Sequence, residues 1–140
     1  MSAAQPIPTA EHLKKIANRW FDEVWNHGRR ETVHELFPAG SVIHDGSQDV
    51  VGPEEFLKFY EALHERFSHF NIVPVITFAE GNLVCQHWIA TFTDKASGKP
   101  VKITGTSIVR IENGVFAEAW QNWDALGVET QIAAATAASA

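Results

Sequence analysis

Apolar residues recur every three or four positions at the start of the chain: Leu13, Ile16, Ala17, Trp20, Phe21, Val24 and Trp25. That spacing predicts a helix from Ala10 to about His27 with one broad apolar face. Thr9 is placed to cap it and Gly28 to stop it. "RETVHELF" then offers Val33, Leu36 and Phe37 as anchors of a short second helix, ended by Pro38 and Gly40. "SVIHDGSQDVVG" reads as two brief strands about a turn at Gly46 and Ser47. Pro53 suits the first position of a third helix, with Glu54 and Glu55 in its positive first turn, Phe56, Tyr60, Leu63 and Phe67 along one side, and an end near Ser68.

From Phe70 onward the pattern is that of strands. "FNIVPVITFAE", "NLVCQHWIATFTD", "KPVKITGTSIVRIE" and "VFAEAWQNW" are rich in β-branched and aromatic residues and are joined by the short turns "EGN", "KASGK" and "ENG". Helices first and a four-strand meander afterwards predict an α+β domain whose antiparallel sheet curls over the helices and leaves a cavity at its open end. No repeat or linker divides the chain. One domain is expected over residues 1–130, followed by a flexible tail, 131–140, whose "AAATAASA" holds nothing large enough to dock.

Composition narrows the function. The 140 residues are 45% hydrophobic and 20% charged, as in folded globular proteins. A net charge of −6, with the eleven Lys and Arg residues scattered, argues against nucleic acid as a partner. No leader pattern and no membrane-length apolar run stands in the sequence, so a cytoplasmic protein is expected. The single cysteine, Cys85, reads as a small buried filler. Seven histidines prompt a search for metal ligands, but those of "HERFSH" are five apart and fall on different sides of a helix, and "EALH" stands alone. With no P-loop, G-x-G-x-x-G or G-x-S-x-G either, no cofactor and no metal are expected.

Candidate chemistry centres on Asp124 in "EAWQNWDALG". In a regular last strand Phe116, Glu118, Trp120, Asn122 and Asp124 share a face, and a carboxyl beside an indole in a dry pocket suits proton transfer near neutral pH. The bland alternative is that Asp124 caps a terminal turn through "DALG". His44 and Asp45 fall on opposite faces of their strand, so one of them can border the cavity while the other faces solvent. His87 reads as a core or interface histidine. Gly105, between Thr104 and Thr106, marks a place where a ligand or backbone comes close. Five tryptophans favour a pocket for flat or apolar ligands.

"RWFDEVWNHG", "VIHD", "VGPEEFLKFYEAL", "TGTSIVRIENG" and "EAWQNWDALG", in this order from about Glu11 to Val128, resemble a SnoaL-like polyketide cyclase or ester cyclase of the nuclear transport factor 2-like superfamily. The resemblance implies a cone-shaped, cystatin-like α+β fold with a curved antiparallel sheet wrapped around the N-terminal helices. It further implies a homodimer formed through the convex sheet, a hydrophobic pocket and no cofactor. The implied reaction is an intramolecular aldol condensation or isomerisation of a small hydrophobic carbonyl compound. Asp124 matches the family's general acid/base and His44 joins it as the second catalytic candidate. Trp20, Trp25, Asn26, Phe56, Tyr60, Thr106 and Trp120 are the implied substrate contacts. The histidine such cyclases carry on the preceding strand is missing from "ITGTSIVRI", where Thr106 or Arg110 stands instead. Two other readings remain. One is an epoxide hydrolase of the same fold, using Asp124, Arg110 and Asp45 or Glu118; the other is a small-ligand binder without turnover.

Overall fold

The computed structural model describes residues 8–139, with side chains through residue 134. Helix α1 (Ala10–Arg19) begins where Thr9 Oγ1 accepts from the His12 N–H at 3.1 Å. It continues without a break into a π-helical segment, Trp20–Asn26. Gly28, at φ 66°, then turns the chain in a way a side chain would oppose. Helices α2 (Glu31–Leu36) and α3 (Gly52–Arg66) follow, the latter with Pro53 in its first turn and the Glu55 carboxylate accepting from the Val51 N–H.

Strands β1 (Val42–Asp45), β2 (Gln48–Val51), β3 (Phe67–Glu80), β4 (Leu83–Asp94), β5 (Pro100–Glu112) and β6 (Val115–Trp123) form one sheet in the order β2-β1-β6-β5-β4-β3. The expected meander is therefore four of six strands. The early hairpin β1–β2 joins it through β1, which runs parallel to β6 with Ile43 opposite Ala119 and Asp45 opposite Gln121.

Alternation along β4 is regular: Val84, Gln86, Trp88, Ala90, Phe92 and Asp94 face inward and are buried. This settles the cavity face that the mixed sequence of β4 left open, and it turns His87 outward. On the inner face the sheet meets the helices across a continuous core that includes Phe37 and Val84, each 0% exposed. Each such side chain contributes about 1.5–3 kcal/mol by leaving water.

The expected tail from residue 131 is instead part of helix α4 (Ala125–Ser139). Val128 is buried, Ile132 packs against the core, and the Gln131 carboxamide both accepts from the Lys102 N–H and donates to its C=O. Ala140, the last residue of that tail, lies outside the described residues.

Candidate functional site

The concave face of the sheet and the first helix enclose a pocket lined almost entirely by apolar and aromatic side chains. Trp20, Phe21 and Trp25 come from the helix, Phe59 and Leu63 from α3, and Phe70, Trp88, Phe92, Phe116 and Trp123 from the strands. The π-helical turn matters here. Its i→i+5 repeat brings residues five apart to one face, which is how Trp20 and Trp25 both reach the pocket. Behind them stand Phe56, with its ring centroid 4.7 Å from that of Trp20, and Tyr60, 5.1 Å from Trp25.

A belt of polar side chains crosses this apolar face. Register places Thr77 opposite Gln86, Gln86 opposite Ser107, Ser107 opposite Gln121 and Gln121 opposite Asp45. Gln86 is satisfied by donating to Asn18 Oδ1 at 2.7 Å on the first helix. Ser107 Oγ accepts from Trp88 Nε1 at 2.9 Å, which leaves its own O–H to donate. Ser107 and Gln121 line the pocket, and the Gln121 carboxamide has no partner among the described residues. Asp45 closes the belt, 7% exposed, with Oδ1 accepting from Trp123 Nε1 at 2.9 Å.

Gly105 lets the belt form. A Cβ there would lie 2.3 Å from the Trp88 ring, so the close approach marked by this glycine is that of the indole whose N–H holds Ser107.

The other candidates divide by strand face. Trp20 and Trp25 line the pocket; Phe56 and Tyr60 back its walls, the Tyr60 O–H donating to the Val24 carbonyl. Asn26 does not face the pocket ligand space. Its carboxamide clips the Ile72 backbone, donating to its C=O at 2.9 Å and accepting from its N–H at 2.7 Å.

Trp120, Thr106 and His44 stand on the outer face. The cause lies in β6, where Arg110 pairs with Glu118 but Ile111 pairs with Phe116, so Ala117 is an extra residue. Phe116 points inward before this bulge and Ala119, Gln121 and Trp123 after it. Trp120 is thereby sent outward, against the regular alternation expected from the sequence. Thr106 Oγ1 bonds His87 Nδ1 at 2.9 Å on that same face.

His44 lies between two carboxylates, with Nε2 2.6 Å from Glu118 and Nδ1 2.7 Å from Asp49. These bonds, the one to Glu118 foremost, raise its pKa above the ordinary imidazole value. Glu118 is lowered in turn by His44 and Arg110. Arg110 and Glu118 thus pair outside while Asp45 lies inside, so the three do not converge on one water as an epoxide-opening site requires.

Asp124 is exposed at the end of β6 and does not line the pocket. Its Oδ1 accepts from the Gly127 N–H at 2.9 Å and its carbonyl from Val128, the geometry of an N-cap for α4. Gln121 and Trp123 escape a sequence reading because regular parity, counted without the bulge, puts them on the face opposite Phe116, and Trp88 and Ser107 because neither face of β4 or β5 is apolar enough to mark the inner one.

A curled sheet closed by a helix around an apolar pocket defines the ketosteroid isomerase-like class of α+β folds. A model of the SnoaL-like domain matches residues 17–119, and the chain belongs to that family. Among solved structures it is similar to a candidate SnoaL-like polyketide cyclase from Jannaschia sp. CCS1, at 24% identity and TM-score 0.79 over 93% of this chain and 96% of that one. It is also similar to a candidate polyketide cyclase from Acidithiobacillus ferrooxidans, at 23% identity and TM-score 0.74 over 88% and 95% of the two chains. A third, of ketosteroid isomerase-like fold from Catenulispora acidiphila, shares 13% identity at TM-score 0.75, over 84% and 91%. Among proteins of curated function none matches the sequence.

Proposed function

We propose that the chain is an enzyme that moves a proton on a small hydrophobic carbonyl compound, in the manner of a polyketide cyclase or isomerase and without a cofactor. The observation that carries this reading is the pair Ser107 and Gln121, neighbours across two strands, offering unfilled hydrogen-bonding capacity inside a pocket that is otherwise apolar. A carbonyl oxygen fits that pair. Trp88 donates into Ser107, which leaves the Ser107 O–H and the Gln121 N–H both available to donate to one acceptor, and negative charge growing on that oxygen would be stabilised. The flat walls of Trp20, Trp25 and Trp123 suit a ring beside the carbonyl.

Ketone preference tests the reading. Tryptophan fluorescence titration with 2-tetralone and with its hydrocarbon analogue tetralin should show the ketone bound at least tenfold more tightly. Ser107→Ala and Gln121→Leu together should erase that preference, each lost hydrogen bond being worth about 1 kcal/mol. Equal affinity of the wild type for the two compounds would count against carbonyl recognition. Among the described residues no charged side chain lines the pocket itself, and this favours, as the second reading, a carrier that binds without turnover.

A second copy of the chain is the proposed partner. Val73, Ile76, Phe78, Ile108 and Trp120 expose an apolar surface on the convex face, Ile76 and Phe78 at 56% and 57%. Sedimentation should find a dimer, and Ile76→Glu with Phe78→Glu should return it to monomer.

A further inference from the structure

We infer that the anchored carbonyl lies part-way along the ligand and not at its inner tip, that an apolar arm runs past it to Ala119, and that Ala119 sets how long this arm can be. The inference rests on the carbonyl-binding reading above and narrows it to neutral ketones with an apolar substituent on each side of the oxygen.

The pocket extends both ways from Ser107 and Gln121. On one side Trp123 follows Gln121 by two residues on β6, and the half-buried Trp25, Phe59, Leu63 and Phe70 mark the mouth. On the other side Val109 follows Ser107 by two residues on β5, and Ala119, its register partner, precedes Gln121 by two on β6. At about 3.3 Å per residue these positions lie about 7 Å further in along the strands. The Trp20 and Phe116 rings, with centroids 5.3 Å apart, close that end. A ligand with its carbonyl at the inner tip would leave this stretch unfilled, and the apolar walls there would forfeit their contacts.

Ala119 decides how much room the stretch holds. Its cross-strand neighbours Ile43 and Val109 are branched and buried, whereas Ala119 is only half-buried. The other alanines that line the pocket, Ala17 and Ala90, are 1% and 3% exposed, so among the three only Ala119 keeps free surface. The bulge at Ala117 turns the Ala119 methyl inward, and a longer side chain on the same bond would occupy the space intended for the arm.

Charge restricts what the arms can carry. Among the described residues no Lys, Arg or His lines the pocket on either side of the pair, so a carboxylate on either arm would be buried without a partner.

Isothermal titration calorimetry with two isomeric ketones tests this. With the ring toward the mouth, butyrophenone carries three carbons beyond its carbonyl and 4-phenyl-2-butanone carries one, at nearly equal apolar surface. Ala119→Leu should weaken butyrophenone about tenfold or more, since two methylenes lose their place, and 4-phenyl-2-butanone less than threefold. Ala119→Val should give a smaller loss in the same direction, and circular dichroism checks the fold of both variants. Equal losses for the two ketones overturn the inference, because Ala119 then acts on the pocket as a whole; undiminished butyrophenone binding overturns it too. Butylbenzene separates this inference from the reading beneath it. A wild type that binds butyrophenone no better than butylbenzene overturns the carbonyl reading and this inference with it. One that prefers the ketone, in a protein whose Ala119 variants do not tell the isomers apart, overturns this inference alone.

Discussion

Gly105 and Trp88 are matched by exclusion: one residue has no side chain because the other's ring occupies its place. Gly105→Ala should therefore push the indole off Ser107, lowering stability by about 1–3 kcal/mol in denaturant unfolding and weakening ketone binding at the same time. Asp124→Ala should cost about 1 kcal/mol through loss of the α4 cap, measured by the same unfolding. At this scale the sequence was half legible. That Gly105 marks a close approach, and that only one of His44 and Asp45 faces in, followed from residue type and alternation. That Asp45 is the inner one did not, because a four-residue strand shows too few apolar neighbours to fix its face. The capping motif at Asp124 was visible in "DALG", and the resemblance outweighed it.

Among the elements, the first helix and α2 are tied by charge. Glu23 accepts from Arg19 and Thr32 and faces Arg29, while Glu35 takes both arginines from α2. The bond to Arg19 is the main reason the Glu23 carboxyl falls to about 2. A lowered carboxyl stabilises the fold above its ordinary pKa and loses that effect as pH falls through its folded value. Wild type should thus exceed Glu23→Gln in stability at pH 7, by an amount on the order of 2 kcal/mol, and the gap should close between pH 4.5 and about 2 in thermal unfolding. Long elements were legible because their periods repeat: the helix seam and the four long strands follow from sequence to within a few residues. The docking of β1 beside β6 was not, since pairing partners distant in the chain leave no local trace. Nor was the docking of α4, whose alanines hide the contacts made by Val128 and Gln131.

Over the whole molecule, the sheet separates two chemistries, an apolar pocket with a polar belt inside and an apolar field with one ionic row outside. That row runs Arg110, Glu118, His44, Asp49 across four strands. Because folding raises the His44 pKa, its stabilising charge is fully present below the ordinary value near 6.5 and is lost as pH rises through the folded value. His44→Gln should be less stable than wild type at pH 6, and the difference should shrink as pH rises beyond that raised value, as followed by thermal unfolding. Since the row lies on the proposed contact between copies, sedimentation at the two ends of that range reports whether assembly follows the same charge.

The extra residue at Ala117 gives the last strand something like a reading frame. Every position after it is assigned to pocket or exterior by a single count: pairing Ala117 regularly would present Trp120 to the ligand and Gln121 to water, whereas deleting it would leave both where they are. Relatives without the extra residue would present the same positions to the pocket, and an ungapped alignment with them would compare inner residues with outer ones.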